Sequence, residues 1–131
     1  MHSIKIKVRG YHLDMYQHVN NARYLEFLEE ARWHFIESKI DLNEWMKKGL
    51  GFVVVNININ YRKPASLDQT LEIQNNISRL NVRSATIEQK IYLENTDMLV
   101  ADAAVTFVII DTKTGKSVSL EGELLELMKS L

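Results

Sequence analysis

Asn21-Ala-Arg-Tyr-Leu-Glu-Phe-Leu-Glu-Glu-Ala-Arg-Trp-His-Phe-Ile-Glu-Ser-Lys-Ile40 is the stretch whose period decides the fold. Tyr24, Leu28, Ala31 and Phe35 recur at helical spacing, widened by Leu25 and Phe27, while Glu26, Glu30 and Glu37 mark the opposite side. The spacing predicts one long amphipathic helix from Asn21 to about Ile40. Asn20 fits its N-cap, because a side-chain oxygen there accepts a free N–H of the first turn. Upstream, Ile4, Ile6 and Val8 alternate with Lys5, Lys7 and Arg9, a strand with one wet face. Gly10 to Gln17 breaks the period and reads as a loop.

Downstream, Asp41 with Glu44 three residues on reads as a capping box for a short helix from Leu42 to Lys48, which Gly49 stops. After Gly51 the pattern is strand-like. Val53, Val55, Ile57, Ile59 and Tyr61 alternate with Asn56, Asn58 and Asn60 up to Pro64. Leu71, Ile73 and Ile77 continue the alternation, then Ile87, Ile91 and Leu93 after a turn near Asn81–Ser84. Leu99 to Ile110, apolar on both faces, reads as a central strand or one at a subunit contact, and Glu123 to Leu131 as a terminal helix. The order is strand, long helix, short helix and four strands: an α+β domain with an antiparallel sheet. One long helix covers one sheet face, so the other face and the edges are under-covered, which predicts self-association.

A chain of 131 residues has the length of one domain, 1–131, and 46% apolar with 25% charged residues is a globular composition. The net charge of −1 supplies no field to recruit nucleic acid. No apolar run has the ~18 residues of a membrane span, and Met1 to Lys7 alternates apolar and basic residues without an apolar core of signal-peptide length. With no cysteine there is neither a thiol nucleophile nor a thiolate metal site. The expected location is the cytoplasm.

The chemistry is concentrated at Asp14-Met-Tyr-Gln-His-Val-Asn-Asn21. A loop carboxylate precedes the first free N–H groups of a helix, where the positive end of the helix dipole favours developing negative charge. A base for water beside donors for an oxyanion is the minimum for hydrolysing an acyl bond. On spacing alone, though, an aspartate in this position is more often a turn or capping residue.

This stretch resembles the acyl-CoA thioesterases of the hot-dog superfamily, in the 4-hydroxybenzoyl-CoA thioesterase and YbgC-like branch. Their hallmark is an Asp, two variable residues, Gly, then commonly His-Val-Asn-Asn at the start of the long helix. The Arg9-Gly-Tyr-His-Leu-Asp14 approach and the run from Val53 to Pro64 look especially like that branch's long-chain acyl-CoA thioesterases, and the likeness extends to Leu120-Glu-Gly-Glu-Leu124. Gln17 stands where the family usually has Gly.

The resemblance implies a five-stranded antiparallel sheet wrapped around one long helix. It implies that Asp14 is the catalytic carboxylate, as general base or as nucleophile, and that the backbone N–H of Asn21 polarises the thioester carbonyl. It implies no cofactor and no metal, although His12, Asp14 and His18 are the residue types of a two-histidine, one-carboxylate site. The implied partners are acyl-CoA and further copies of the chain, as a homodimer or homotetramer with active sites between protomers.

His18 is a candidate to orient Asp14 or line the thioester, or else a histidine bonded to backbone near the helix start. Tyr16 and Gln17 are candidates for substrate contact. Arg62 and Lys63, with Arg79 and Arg83 near another turn, are candidates for the CoA phosphates. Met15, Trp45, Met46, Phe52 and Val54 are candidates for an acyl channel, Val54 because it faces away from the Val53/Val55 set.

Two other functions compete. A hot-dog 3-hydroxyacyl-thioester dehydratase or hydratase needs an acid/base pair with its carboxylate inside the helix. A non-catalytic acyl-CoA-binding module has no need of a carboxylate at position 14.

Overall fold

The computed structural model describes residues 1–131. Strand β1 (His2–Lys7) is followed by a 3-10 turn at Gly10–His12, helix α1 (Asn21–Glu37) and short helix α2 (Leu42–Lys47). Strands β2 (Leu50–Tyr61), β3 (Thr70–Leu80), β4 (Ala85–Leu93) and β5 (Leu99–Asp111) come next, then helix α3 (Glu123–Ser130). The five strands form one antiparallel sheet in the order β1-β3-β4-β5-β2. The expected α+β architecture is the one observed.

Helix α1 begins where its cap requires. The Asn20 side chain accepts the Ala22 N–H at 2.9 Å, and the Asn20 carbonyl accepts from Arg23. The helix stops at Glu37, three residues before the predicted end. There the Ser38 hydroxyl donates to the Phe35 carbonyl at 2.6 Å, and the Lys39 N–H switches to a three-residue bond to Ile36. Asp41 caps α2 by accepting the N–H groups of Asn43 and Glu44.

Tyr24, Phe27, Leu28 and Ala31 pack on Leu71, Ile73, Ile91 and Val105 from the inner sheet face. A second cluster at the far end of α1 joins Phe35 and Ile36 to Trp45, Phe107 and Met128. The long helix therefore does not cover the sheet alone, because α2 and α3 close this end. Burying each Leu or Ile stabilises the fold by roughly 1.5–3 kcal/mol, so these two clusters hold α1 in place along most of its length.

Strand β5 lies between β4 and β2, with its inner residues buried. Strand β2 is an edge, and Val53, Val54, Val55 and Ile57 on it are exposed. Its alternation is broken by a bulge at Val55: Val54 pairs with Phe107, but Asn56 already pairs with Thr106. The register puts Phe52, Val54, Ile57, Ile59 and Tyr61 on the inner face, and Val53 on the outer face with Val108. The uninterrupted alternation read from the sequence is thus corrected by one residue. Val54 does face away from Val53, and it does so by turning toward α1.

Candidate active site

The segment from Leu13 to Val19 is a short hairpin, closed by a bridge between those two residues and by the Asp14 N–H donating to the His18 carbonyl at 3.0 Å. The Gln17 N–H returns to the Asp14 carbonyl, and the Tyr16 N–H donates to Asp14 Oδ1 at 2.9 Å. This places the carboxylate inside its own turn, half-buried, with its second oxygen free of any bond within the chain. The turn requires a left-handed residue, and Gln17 supplies it at φ 64°. A side chain in that region costs about 1–2 kcal/mol, part of which glycine would lose again as unfolded-state freedom. Gln17→Gly should therefore raise stability by roughly 0.5 kcal/mol and the melting temperature by about 2 °C, measured by calorimetry.

Asp14, His18 and Asn21 line one open cavity of about 340 Å³, with Tyr24, Tyr61 and Lys63 on its other sides. The N–H of Asn21 is the first of the helix, and it has no acceptor within the chain. The Tyr61 hydroxyl donates to the Asn21 carbonyl at 3.1 Å, fastening the helix start to the end of β2. The Val19 N–H donates to the Ala65 carbonyl, which holds the hairpin against the segment that follows β2.

Burial pushes the Tyr24 phenol up to about 12, with the nearby Ala65 backbone pulling the other way. Tyr24 is accordingly a neutral wall at any physiological pH. Neither Tyr24 nor Tyr61 stands out as a site residue in the sequence, since both fall on core-like alternations.

The remaining candidates separate. His18 shares the cavity with Asp14, but its side chain makes no hydrogen bond to the carboxylate. Tyr16 and Gln17 lie outside the cavity lining, and their backbone N–H groups shape the turn. Arg62 reaches the cavity rim, yet its guanidinium is ion-paired with Asp102, which Asn60 also holds at 3.0 Å. Arg62 pulls the Asp102 carboxyl below its usual range, and that pairing raises Arg62 in turn. Lys63 is exposed beside it.

Arg79 and Arg83 flank the β3–β4 turn, next to Ala85, which pairs with Phe107. The cavity sits at Tyr61, which pairs with Ala101. Six residues along β5 put the two arginines about 20 Å away, and Arg83 is bonded to the Ser117 carbonyl. They are corrected out of the site. So are three of the acyl-channel candidates: Met15 and Met46 are exposed and line neither this cavity nor the one between α1 and β2, and Trp45 is buried in a stack on Phe52. Phe52 and Val54 do line a cavity, between α1 and β2.

His12 turns away from Asp14. Its Nδ1 accepts the Arg9 N–H at 2.9 Å, and its ring packs edge-on against Phe27. No three His, Asp or Glu side chains converge anywhere in the chain. Burial, then the Arg23 charge, holds His12 below its ordinary value of 6.5, and burial does the same for His2. Both take up protons more readily when unfolded than in the fold, so the stability they contribute is intact above about pH 6.5. It falls as the pH drops below that value. The urea midpoint should be lower at pH 5.5 than at pH 7.5, and His12→Asn, whose side-chain oxygen can still accept from Arg9, should shrink the difference.

An antiparallel five-stranded sheet around one long helix is the hot-dog arrangement. The sequence model of the thioesterase-like superfamily matches residues 8–128, and the chain belongs to that family and is a thioesterase. It is 56% identical to the long-chain acyl-CoA thioesterase FadM of Escherichia coli (strain K12), covering 97% of this chain and 96% of that one. It is 31% identical to a putative esterase of Aquifex aeolicus (strain VF5), over 94% of each. Among solved structures, the probable thioesterase YbaW of Escherichia coli matches with a TM-score of 0.89 at 56% identity, covering 97% of this chain and 96% of that one.

Proposed function

We propose that this chain hydrolyses long-chain acyl-CoA thioesters to the free acid and CoA, with Asp14 as the catalytic carboxylate and the Asn21 N–H as oxyanion donor. The observation that carries this reading is a helix-start N–H with no acceptor in the chain, opening on the same cavity as a carboxylate that has one free oxygen. The relative named as a long-chain acyl-CoA thioesterase supports the substrate class.

With the thioester carbonyl oxygen on the Asn21 N–H, water attacks the carbon and Asp14 takes the proton; alternatively the carboxylate attacks directly and water then opens the mixed anhydride. Either route breaks the C–S bond and releases a thiolate, so no acid with a raised pKa is required. Of the two cations at the rim, Lys63 is the one whose charge Asp102 does not neutralise, and it is assigned to the CoA phosphates. Dehydratase chemistry lacks its helix carboxylate here. Glu26 is paired with Arg23 and Glu30 with His34, and Glu29 lies in another cavity.

No helix is long and apolar enough to cross a membrane, and we read the protein as a cytoplasmic enzyme that self-associates through β2. The test is a hydrolysis panel of acyl-CoAs from two to eighteen carbons without added metal. Turnover should rise with chain length, and a profile confined to short chains would overturn the long-chain assignment.

A further inference from the structure

The cavity of about 200 Å³ between α1 and β2 is walled by Trp33, Ile36, Phe52, Val54 and Phe107, and one side chain in that wall is out of character. Arg32 is only 8% exposed. A guanidinium carries five N–H donors, yet within the chain Arg32 makes a single hydrogen bond, to Gln89 Oε1 at 3.2 Å, and no ion pair. The Gln89 amide is held in place from its nitrogen side, where Nε2 donates to the Leu28 carbonyl and to Asn75 Oδ1. No buried side-chain nitrogen or oxygen in the protein is sealed without a partner, so the remaining Arg32 donors open on the cavity it lines. Nothing within the chain completes the hydrogen bonding of these donors, so they fall to water or to whatever fills the cavity.

The cavity is also continuous in direction with the candidate active site. Arg32 lies about 16 Å along the helix from Asn21, and between them Leu25 and Ile57 expose apolar surface on the helix and on the inner face of β2. A long acyl chain whose carbonyl sits at Asn21 and which follows this path reaches Arg32 with its middle or far portion.

We propose that Arg32 is a specificity-determining residue that recognises an oxygen acceptor, a hydroxyl or keto group, carried well along the acyl chain of the thioester. The inference rests on the function proposed above. Glu29 lines the same cavity and accepts the Trp33 indole N–H at 3.3 Å, so a negative charge already faces the guanidinium's surroundings. This favours a neutral oxygen over a second carboxylate. A saturated chain, by contrast, would cover the free donors and give them nothing.

The test compares kcat/KM for palmitoyl-CoA with that for its 10-hydroxy, 12-hydroxy and 12-keto analogues and for an ω-carboxylated chain, in wild type and in Arg32→Met. Hydrogen bonds to a charged donor are worth enough to expect about a tenfold or greater preference for at least one oxygenated chain. In Arg32→Met that preference should fall to near one while palmitoyl-CoA turnover is kept or raised. Equal rates for all chains in wild type, or a preference that survives Arg32→Met, would overturn the proposal, and a preference for the ω-carboxylate alone would overturn the choice of a neutral acceptor.

Should Arg32→Met not fold, Arg32→Lys keeps the charge and removes the planar fork, and the preference should still drop. Val54→Trp narrows the cavity from the β2 wall, and should depress long oxygenated and saturated chains alike while sparing octanoyl-CoA. The outcomes separate from failure of the underlying function, because that failure would remove wild-type hydrolysis of palmitoyl-CoA itself.

Discussion

Asp14→Asn is expected to lower kcat for acyl-CoA hydrolysis by about 10²–10⁴-fold, the range general-base catalysis contributes, with the fold intact. The substitution is nearly isosteric, and an asparagine oxygen can still accept the Tyr16 N–H that holds the turn. What it removes is the free carboxylate oxygen facing the cavity. The Asn21 N–H is untouched, so binding of acyl-CoA should change much less than turnover. CoA release followed with a thiol reagent, alongside a thermal melt, checks both halves. Turnover within a few fold of wild type would remove Asp14 from the mechanism under either chemical role.

How much of this was legible beforehand differs between fold and site. The helix was readable because its cap, its stripe and its stop are local, and the structure departs only where Ser38 turns back onto Phe35. The strands were readable for the same reason, except at Val55, where a bulge leaves no mark in an unbroken Val-Val-Val run. That Asp14 and the Asn21 N–H share one cavity was legible because the loop and the helix start are close in sequence, although spacing alone favours a turn or capping role for the aspartate. Tyr61 was not, because it joins the site through sheet register, some forty residues from the helix carbonyl it holds. The pairing of Arg62 is hidden for a related reason: its counter-charge, Asp102, sits on the neighbouring strand. Arg32 looks in the sequence like any charged residue on an amphipathic helix, and only its burial against Gln89 sets it apart.

A second large effect is expected at the β2 edge. A twelve-residue edge strand with Val53, Val54, Val55 and Ile57 exposed is a template for pairing with another chain. It carries no lysine and no proline between Leu50 and Tyr61, and only the bulge at Val55 interrupts it. Two copies meeting there around a twofold axis would extend the sheet across both and place each α1–β2 cavity beside the other chain. Val53→Lys/Val55→Lys places two like charges on the edge of each copy while leaving the apolar path along Ile57 intact. It should raise the dissociation constant about 100-fold or more, which a few kcal/mol of lost contact suffices to do. Sedimentation at micromolar concentration should then give the monomer mass where wild type gives a dimer or tetramer. Because both substituted positions are exposed in the single chain, its fold should persist, and turnover should fall with the assembly. A wild-type monomer, or a monomeric variant with full activity, would refute the reading that the active site is completed between protomers.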